Sequence, residues 1–386
     1  MGLLLLAIGY FVGEIFLSSP VGGLVVALVV WGIMSLVALT QGDSIVLAIA
    51  GARKISQQDH PKLFNVVEEM KIASGLEKMP DIYVIDDQAL NAFATGRDAQ
   101  HASVAITSGL LQKLNRDELQ GVIAHEIGHI RNRDVQLMVM LSVMLGSIVI
   151  ISWYATRFLF FSGAGAGRRG RSGGGGAGQI VILAVGIILM ILAPIAAQLI
   201  YFAVSRKREY LADASSALYT RYPEGLASAL EKLGSSNTQV QKANKATAPM
   251  YIINPLEKRS LSAESLTSTH PPIAERVRIL RSMGGASYAA YDQAYRAAKG
   301  GVGIVPPSGL AAAPGLVVRA ASAETGPVED VAARVERTRE TSDMLWQMNK
   351  YKVIDCDCGT RLRVSPSYRS QTVRCPHCGR THTTPR

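Results

Sequence analysis

The sequence predicts an α-helical membrane protein whose water-exposed part is mainly α with a small β-sheet, ending in a β ribbon. Three observations carry this prediction. Four apolar stretches fall within the first 204 residues. The polar segments around them hold helical apolar spacing and short runs of β-formers. All four cysteines fall in the last 31 residues. The bulk composition agrees: 386 residues are 48% hydrophobic and 18% charged, with mean hydropathy +0.19, where soluble domains average about a quarter charged. A disordered chain is thereby excluded and an ordinary soluble enzyme disfavoured. The net charge of +10 suits nucleic acid, acidic lipid or the positive-inside bias of a membrane protein.

The apolar stretches are Leu3 to Leu17, Val21 to Leu39, Leu137 to Phe161 and Ile180 to Val204. A spanning helix needs ~20 largely apolar residues, so the last three qualify by length. The first is short and interrupted by Glu14, and Ser18-Ser19-Pro20 turns it back on the second as a hairpin. A cleaved signal peptide would need a basic segment before the apolar run, and none is there. Arg53, Lys54, Arg131, Arg133, Arg206, Lys207 and Arg208 border the spans on one side. Only Arg168, Arg169 and Arg171 lie between the last two, in the Gly-rich run from Gly163 to Gly178, which reads as a flexible loop. The richer side is expected to be cytoplasmic.

Within the first polar segment stands His125-Glu126-Ile127-Gly128-His129. Histidines at i and i+4 share one helical face and can reach a single ion, with the glutamate placed to take a proton from bound water. Asp117 and Glu118 open this helix and complement its dipole, while Leu119, Val122 and Ile123 supply an apolar face. The helix is expected to continue through Asp134 into the third span. A catalytic zinc takes three protein ligands, and Glu209, just beyond the last span, offers the third. Two spans separate it from His129, so the chain crosses and returns to the same side. Asp213, one turn after Glu209, is placed to hold a ligand histidine by its free ring nitrogen. Salt bridges from Arg206 or Arg208 to this acidic pair are the plainer reading.

These motifs, in this order, resemble the HtpX-like membrane metallopeptidases of family M48, which is related to the CAAX prenyl proteases. The resemblance covers roughly residues 1 to 283. It includes Asn91-Ala92-Phe93-Ala94-Thr95-Gly96 before the zinc helix and Ser268-Thr269-His270-Pro271-Pro272-Ile273-Ala274-Glu275-Arg276-Val277 after the last span. It implies a zincin-type catalytic domain, zinc on His125, His129 and Glu209, Glu126 as general base, and His270 and Arg276 steadying the oxyanion. It also implies cleavage of membrane or misfolded proteins from the cytoplasmic side of a bacterial-type inner or plasma membrane.

Asp81 to Ile85 and Ser103 to Thr107 read as strands flanking Asn91, Ala92, Phe93 and Ala94. An exposed edge there would bind an extended peptide by strand addition; a packed core hairpin is the other reading. Without the resemblance, His270 would be a helix-start residue and Arg276 a solvated charge.

Past Met283 the resemblance thins. Ala286 to Lys299 reads as helix, Gly300 to Pro327 as a flexible linker, and Glu329 to Lys350 as a further helix. The last offers Val331, Val335, Met344, Leu345 and Met348 either to the catalytic domain or to a second copy in an oligomer. Cys356 and Cys358, then Cys375 and Cys378, form two Gly-terminated knuckles separated by 16 residues, with Leu362, Val364 and Val373 on strands between them. Four thiolates make a closed tetrahedral zinc site, structural rather than catalytic. The first knuckle has one residue between its cysteines rather than the commoner two, and disulfides are disfavoured on a reducing side. Lys352, Arg361, Arg363, Arg369, Arg374, Arg380 and Arg386 make this segment basic. With only Tyr351 and Tyr368 as interleaved aromatics, nucleic acid is disfavoured against protein substrates, an acidic partner or lipid headgroups.

The expected units are 1–40 as a transmembrane hairpin, 41–283 as the metallopeptidase domain, 284–350 as linker and helices, and 351–386 as the ribbon. A prenyl-protein protease and a membrane-tethered adaptor without proteolytic activity are the competing functions. The first needs a large intramembrane chamber, and the second leaves His125, Glu126, His129 and Glu209 unexplained.

Overall fold

The N-terminal residues form a helical hairpin in the computed structural model, which describes residues 1–163, 176–241, 248–255, 268–310, 317–322 and 331–384. Arg168, Arg169, Arg171, Glu329 and Arg386, together with parts of the expected Gly163 to Gly178 loop and Gly300 to Pro327 linker, lie outside those residues. α1 (Gly2–Val12) runs into a π-helical turn at Gly13–Leu17, and Ser18 reverses the chain at φ 51°. The Ser19 hydroxyl accepts from the Gly22 amide and caps α2 (Pro20–Ala50), whose first-turn proline lacks only a donor the helix would not use. The backbones meet closely, for a Cβ on Gly23 would stand 2.1 Å from the Gly9 carbonyl oxygen.

β1 (Arg53–Lys54), α3 (Pro61–Ser74), β2 (Asp81–Ile85), β3 (Ala92–Gly96) and β4 (Ala102–Thr107) follow. The sheet order is β1-β2-β4-β3, with β2 and β4 parallel and the other pairs antiparallel. The Asn91 to Gly96 segment is therefore not a connection between strands but is itself mostly the edge strand. Its pairing fixes which groups face out. The Thr107 amide donates to the Asn91 carbonyl, so 91, 93 and 95 bond β4 while 92, 94 and 96 turn their backbone groups away.

α4 (Ser108–Lys113) leads into α5 (Arg116–Arg131), the central helix, packed by α3, β3, β4 and the helices that follow. Its N-terminus is closed by a capping box in which Asn115 and Glu118 exchange side-chain and backbone bonds, each 2.9 Å. The expected continuation through Asp134 does not occur. Asn132 ends α5, Arg133 adopts φ 57°, and α6 (Asp134–Gly163) starts afresh. A residue with a Cβ in the left-handed region cannot continue a right-handed helix, so the chain changes direction here.

α7 (Gly176–Thr220) runs out of the apolar region and carries Glu209 and Asp213 on its last turns. α8 (Pro223–Ser235), α9 (Ile273–Arg281) and α10 (Tyr288–Lys299) pack into the core around α5, and the short α11 (Pro307–Leu310) follows them without a buried residue. Pro20–Ala50, Asp134–Arg157 and Ala184–Thr220 are long and apolar enough to cross a membrane. Gly2–Leu17 is shorter, about 24 Å at ~1.5 Å per residue against a ~30 Å hydrocarbon core. It packs Leu5 and Ile8 against Ala27, Ile148 and Ala197 within the helical bundle.

The described part of the expected linker is fastened down. Arg319 donates to Asp117 at 2.6 Å and Gln120 at 2.8 Å, and the Ser322 amide donates to Asp117 at 2.7 Å, strapping the start of α5. α12 (Val331–Met348) packs on the core through Met344, Leu345 and Met348, whereas Val331 and Val335 face outward. Two hairpins, β5–β6 (Lys352–Asp355, Arg361–Val364) and β7–β8 (Thr372–Arg374, Thr381–Thr383), form the ribbon. Asp343 of α12 pairs with Arg361 and Arg363, and Arg363 lies 5.3 Å from the Trp346 ring centre, so part of the ribbon's basic charge is turned to α12.

Candidate metal centre and catalytic cleft

α5 and α7 build the centre between them. They approach closely because the fourth residue of the His-Glu-Ile-Gly-His motif has no side chain: a Cβ on Gly128 would stand 2.9 Å from that of Ser215. This brings Glu209 to the two histidines. The His129 Nε2 lies 3.2 Å from His125 Nε2 and 3.3 Å from Glu209 Oε1, and His125 Nε2 lies 3.5 Å from Glu209 Oε2. One donor atom from each of the three lies within 4.8 Å of the others. Two imidazoles and a carboxylate are a donor set that zinc takes. The Glu209 Oε2 is buried and makes no close hydrogen bond, with Arg276 Nη1 at 3.4 Å and His125 Nε2 at 3.5 Å as its near neighbours.

Each histidine is held from behind by a different carboxylate. Asp213 Oδ1 lies 3.0 Å from His125 Nδ1, as the sequence suggested. Asp134 Oδ2 lies 2.9 Å from His129 Nδ1, a partner the sequence reading passed over by running the helix straight through it. Its signal was an acidic residue five positions past the second histidine, at a helix start. Arg208 pairs with Asp134 and donates to the Asn132 carbonyl at 2.9 Å, which braces the break between α5 and α6. Burial alone would lower the pKa of His125, but its bonds to Asp213 and Glu209 leave it raised.

Glu126 is fully buried; burial pushes its carboxyl above the ordinary range, and Oε1 has no hydrogen-bond partner. His270 turns Nε2 to within 3.8 Å of Glu209 Oε2 while Nδ1 pairs with Thr269 Oγ1 at 2.8 Å. Arg276 is not a solvated charge. It is 1% exposed and lies across Asp213, donating through Nε at 2.8 Å and Nη2 at 2.6 Å. Its Nη1 lies 3.4 Å from Glu209 and donates to the Ile252 carbonyl at 3.3 Å. With two donors committed to Asp213, Arg276 belongs to the scaffold that holds His125. Arg206 turns to the Ser268 carbonyl, so the surface-bridge reading of the acidic pair does not hold.

Of the four residues expected against substrate, only Ala94 lines the cleft. The Asn91 side chain donates to Ile253, the Ala92 carbonyl accepts from the Ile252 amide, and Phe93 stacks edge-on against Tyr251 at 5.0 Å. These contacts fasten the 248–253 segment to the sheet, which leaves Ala94 and Gly96 with outward backbone groups beside Glu126 and His129.

The cysteines also converge. Cys356 and Cys378 sulfurs are 3.4 Å apart and those of Cys358 and Cys375 3.7 Å, all four as free thiols. A tetrahedron of ~2.3 Å zinc–sulfur bonds places its sulfurs about 3.8 Å apart. Gly359 and Gly379, at φ 82° and 77°, close the two knuckles, and the Gly359 and Gly379 amides donate back to Cys356 and Cys375.

Residues 57–284 match the model of peptidase family M48. A protease HtpX homolog of Dictyoglomus turgidum is 45% identical over 262 residues, 68% of this chain and 82% of that protein. Those of Thermoanaerobacter pseudethanolicus and Streptococcus pneumoniae are 44% and 42% identical over 281 residues, 73% of this chain and 91% and 93% of theirs. The crystal structure of S. mikatae Ste24p aligns with a TM-score of 0.44 at 21% identity, over 72% of this chain and 63% of that one. With the family model matching residues 57–284 and the HtpX homologs 42–45% identical over 68–73% of its length, the chain belongs to peptidase family M48, among its HtpX-like membrane metalloproteases.

Proposed function

We propose that the protein is a zinc endopeptidase that cuts membrane or misfolded proteins on the cytoplasmic side, as part of protein quality control. The observation that carries this is the convergence of His125, His129 and Glu209 beside the unpartnered carboxylate oxygen of Glu126. Zinc on those three side chains would polarise a peptide carbonyl and make bound water acidic. Glu126 accepts the proton of the attacking water and returns it to the leaving nitrogen. His270, its Nδ1 engaged with Thr269, offers Nε2 to the developing oxyanion. Arg276 holds Asp213, which orients His125, and so positions the site rather than touching substrate.

The substrate backbone pairs with the outward groups of Ala94 and Gly96, extending the sheet over the centre. The basic residues bordering the spans, Arg53, Lys54, Arg131, Arg133 and Lys207 among them, favour the cytoplasmic side for the core and the ribbon. The ribbon takes a second, structural zinc on its four cysteines; the divisions at 283 and 350 separate peptidase core, connecting helices and ribbon, while the hairpin's second helix runs on past the expected boundary at 40 to Ala50. The test is cleavage of unfolded casein by the purified full-length protein, with and without chelator, beside Glu126→Gln. Wild type should cut in a chelator-sensitive way. Glu126→Gln should lose about 100-fold or more while keeping its zinc, and undiminished cleavage by that variant would end the assignment.

A further inference from the structure

The catalytic cleft does not stop at the metal centre. It opens into a cavity of about 240 Å3 between α2, α6, α7 and the free edge of β3, lined by Glu126, His129 and Glu209 at one part. Elsewhere the wall is mainly apolar: Leu39 and Val46 of α2, Val139 and Val143 of α6, Tyr201 of α7, and Met250. An engineered dry cavity of about 150 Å3 takes up benzene, so this one has room for a ring or a branched aliphatic chain. Its lining along α6 runs from Val135 to Val143, about 12 Å of helix axis. It therefore reaches from the reacting carboxylate into the apolar part of a membrane-crossing helix.

An apolar chamber sharing walls with Glu126 and with the strand edge is a subsite, because a chain laid along β3 sends alternate side chains to opposite faces. We propose that this cavity receives the side chain of a residue flanking the scissile bond and selects a large apolar one: leucine, isoleucine, methionine or phenylalanine. Substrates are thereby cut beside apolar residues that a folded, soluble protein keeps buried. Segments unfolded at the membrane surface, or drawn from the edge of a span, present them. This rests on the endopeptidase reading and sharpens it from the kind of protein cut to the bond chosen.

Cleavage-site mapping decides the matter. Full-length protein in lipid nanodiscs is given unfolded casein and a peptide set differing only at the two residues beside the cut, and the products are sequenced by mass spectrometry. Large apolar residues should be preferred over alanine and serine on one side of the bond by about 10- to 100-fold in kcat/KM. Val139→Phe, which fills the cavity, should move the preference toward small residues, and Tyr201→Ala, which enlarges it, toward tryptophan. Cuts without apolar preference, or a preference that neither variant moves, would overturn the subsite while leaving the endopeptidase standing. Absence of any chelator-sensitive cutting by wild type would overturn both.

Discussion

The ring nitrogen of His129 that faces away from Glu209 lies 2.9 Å from a carboxylate oxygen of Asp134, across the break between α5 and α6. The break is what makes the contact, since a continuous helix would carry residue 134 a further turn and a half along the axis from 129. The orientation of His129 is thus tied to the start of a helix long and apolar enough to cross a membrane.

Replacing Asp134 by Asn should weaken zinc binding by about 10- to 100-fold, the usual cost of losing such a partner. Competition between the purified protein and a fluorescent chelator measures it, and affinity equal to wild type would refute the role given to Asp134.

Arg276 and Asp213 are both buried, and the pair survives only as a pair. Arg276→Ala leaves the buried Asp213 with His125 as its remaining partner among the described residues and should cost about 3–5 kcal/mol. Arg276→Met with Asp213→Asn should be less damaging than Arg276→Ala alone, because no unpaired charge is left inside. Thermal unfolding midpoints in one detergent compare them, with the reverse order counting against the pairing.

Gly128→Ala drives a methyl group against Ser215. Overpacking of this kind costs about 1–3 kcal/mol, and here it also pushes α7 with Glu209 away from the histidines. Both stability and zinc affinity should fall, and Ser215→Gly in the same chain should recover part of each. A Gly128→Ala protein with unaltered zinc affinity would mean that the helix separation does not set the centre.

Serine at Cys356 and Cys375 should reduce bound zinc from about two ions per chain to about one, read by elemental analysis after dialysis. The ribbon's hairpins should then exchange amide hydrogen faster. Unchanged stoichiometry would show that the four thiols hold no metal.

Much of this centre was legible from local pattern. The histidines at i and i+4 needed only helical periodicity, and the four-cysteine cluster needed only two turns ending in glycine. The Arg276 assignment shows the limit. A lone arginine in an amphipathic helix looks solvated or catalytic, and its carboxylate partner lies 63 residues away. The strand edge shows the same thing, for β-forming composition identifies the two strands flanking Asn91 to Gly96 but not that this segment is itself a strand, nor that β4 lies between it and β2.

The sequence by itself determined the three long apolar helices, the helix that carries His125 and His129 on one face, and the paired cysteines of the ribbon. Each follows from composition or short-range spacing, which repeat within a few residues. Only the tertiary structure decided which carboxylate holds which histidine, that Arg276 serves Asp213, which edge of the sheet is open, and that the cleft continues among the membrane helices. Those depend on how closely α5 and α7 pack and where the chain turns at Arg133, and such long-range contacts leave no periodic trace in the order of residues.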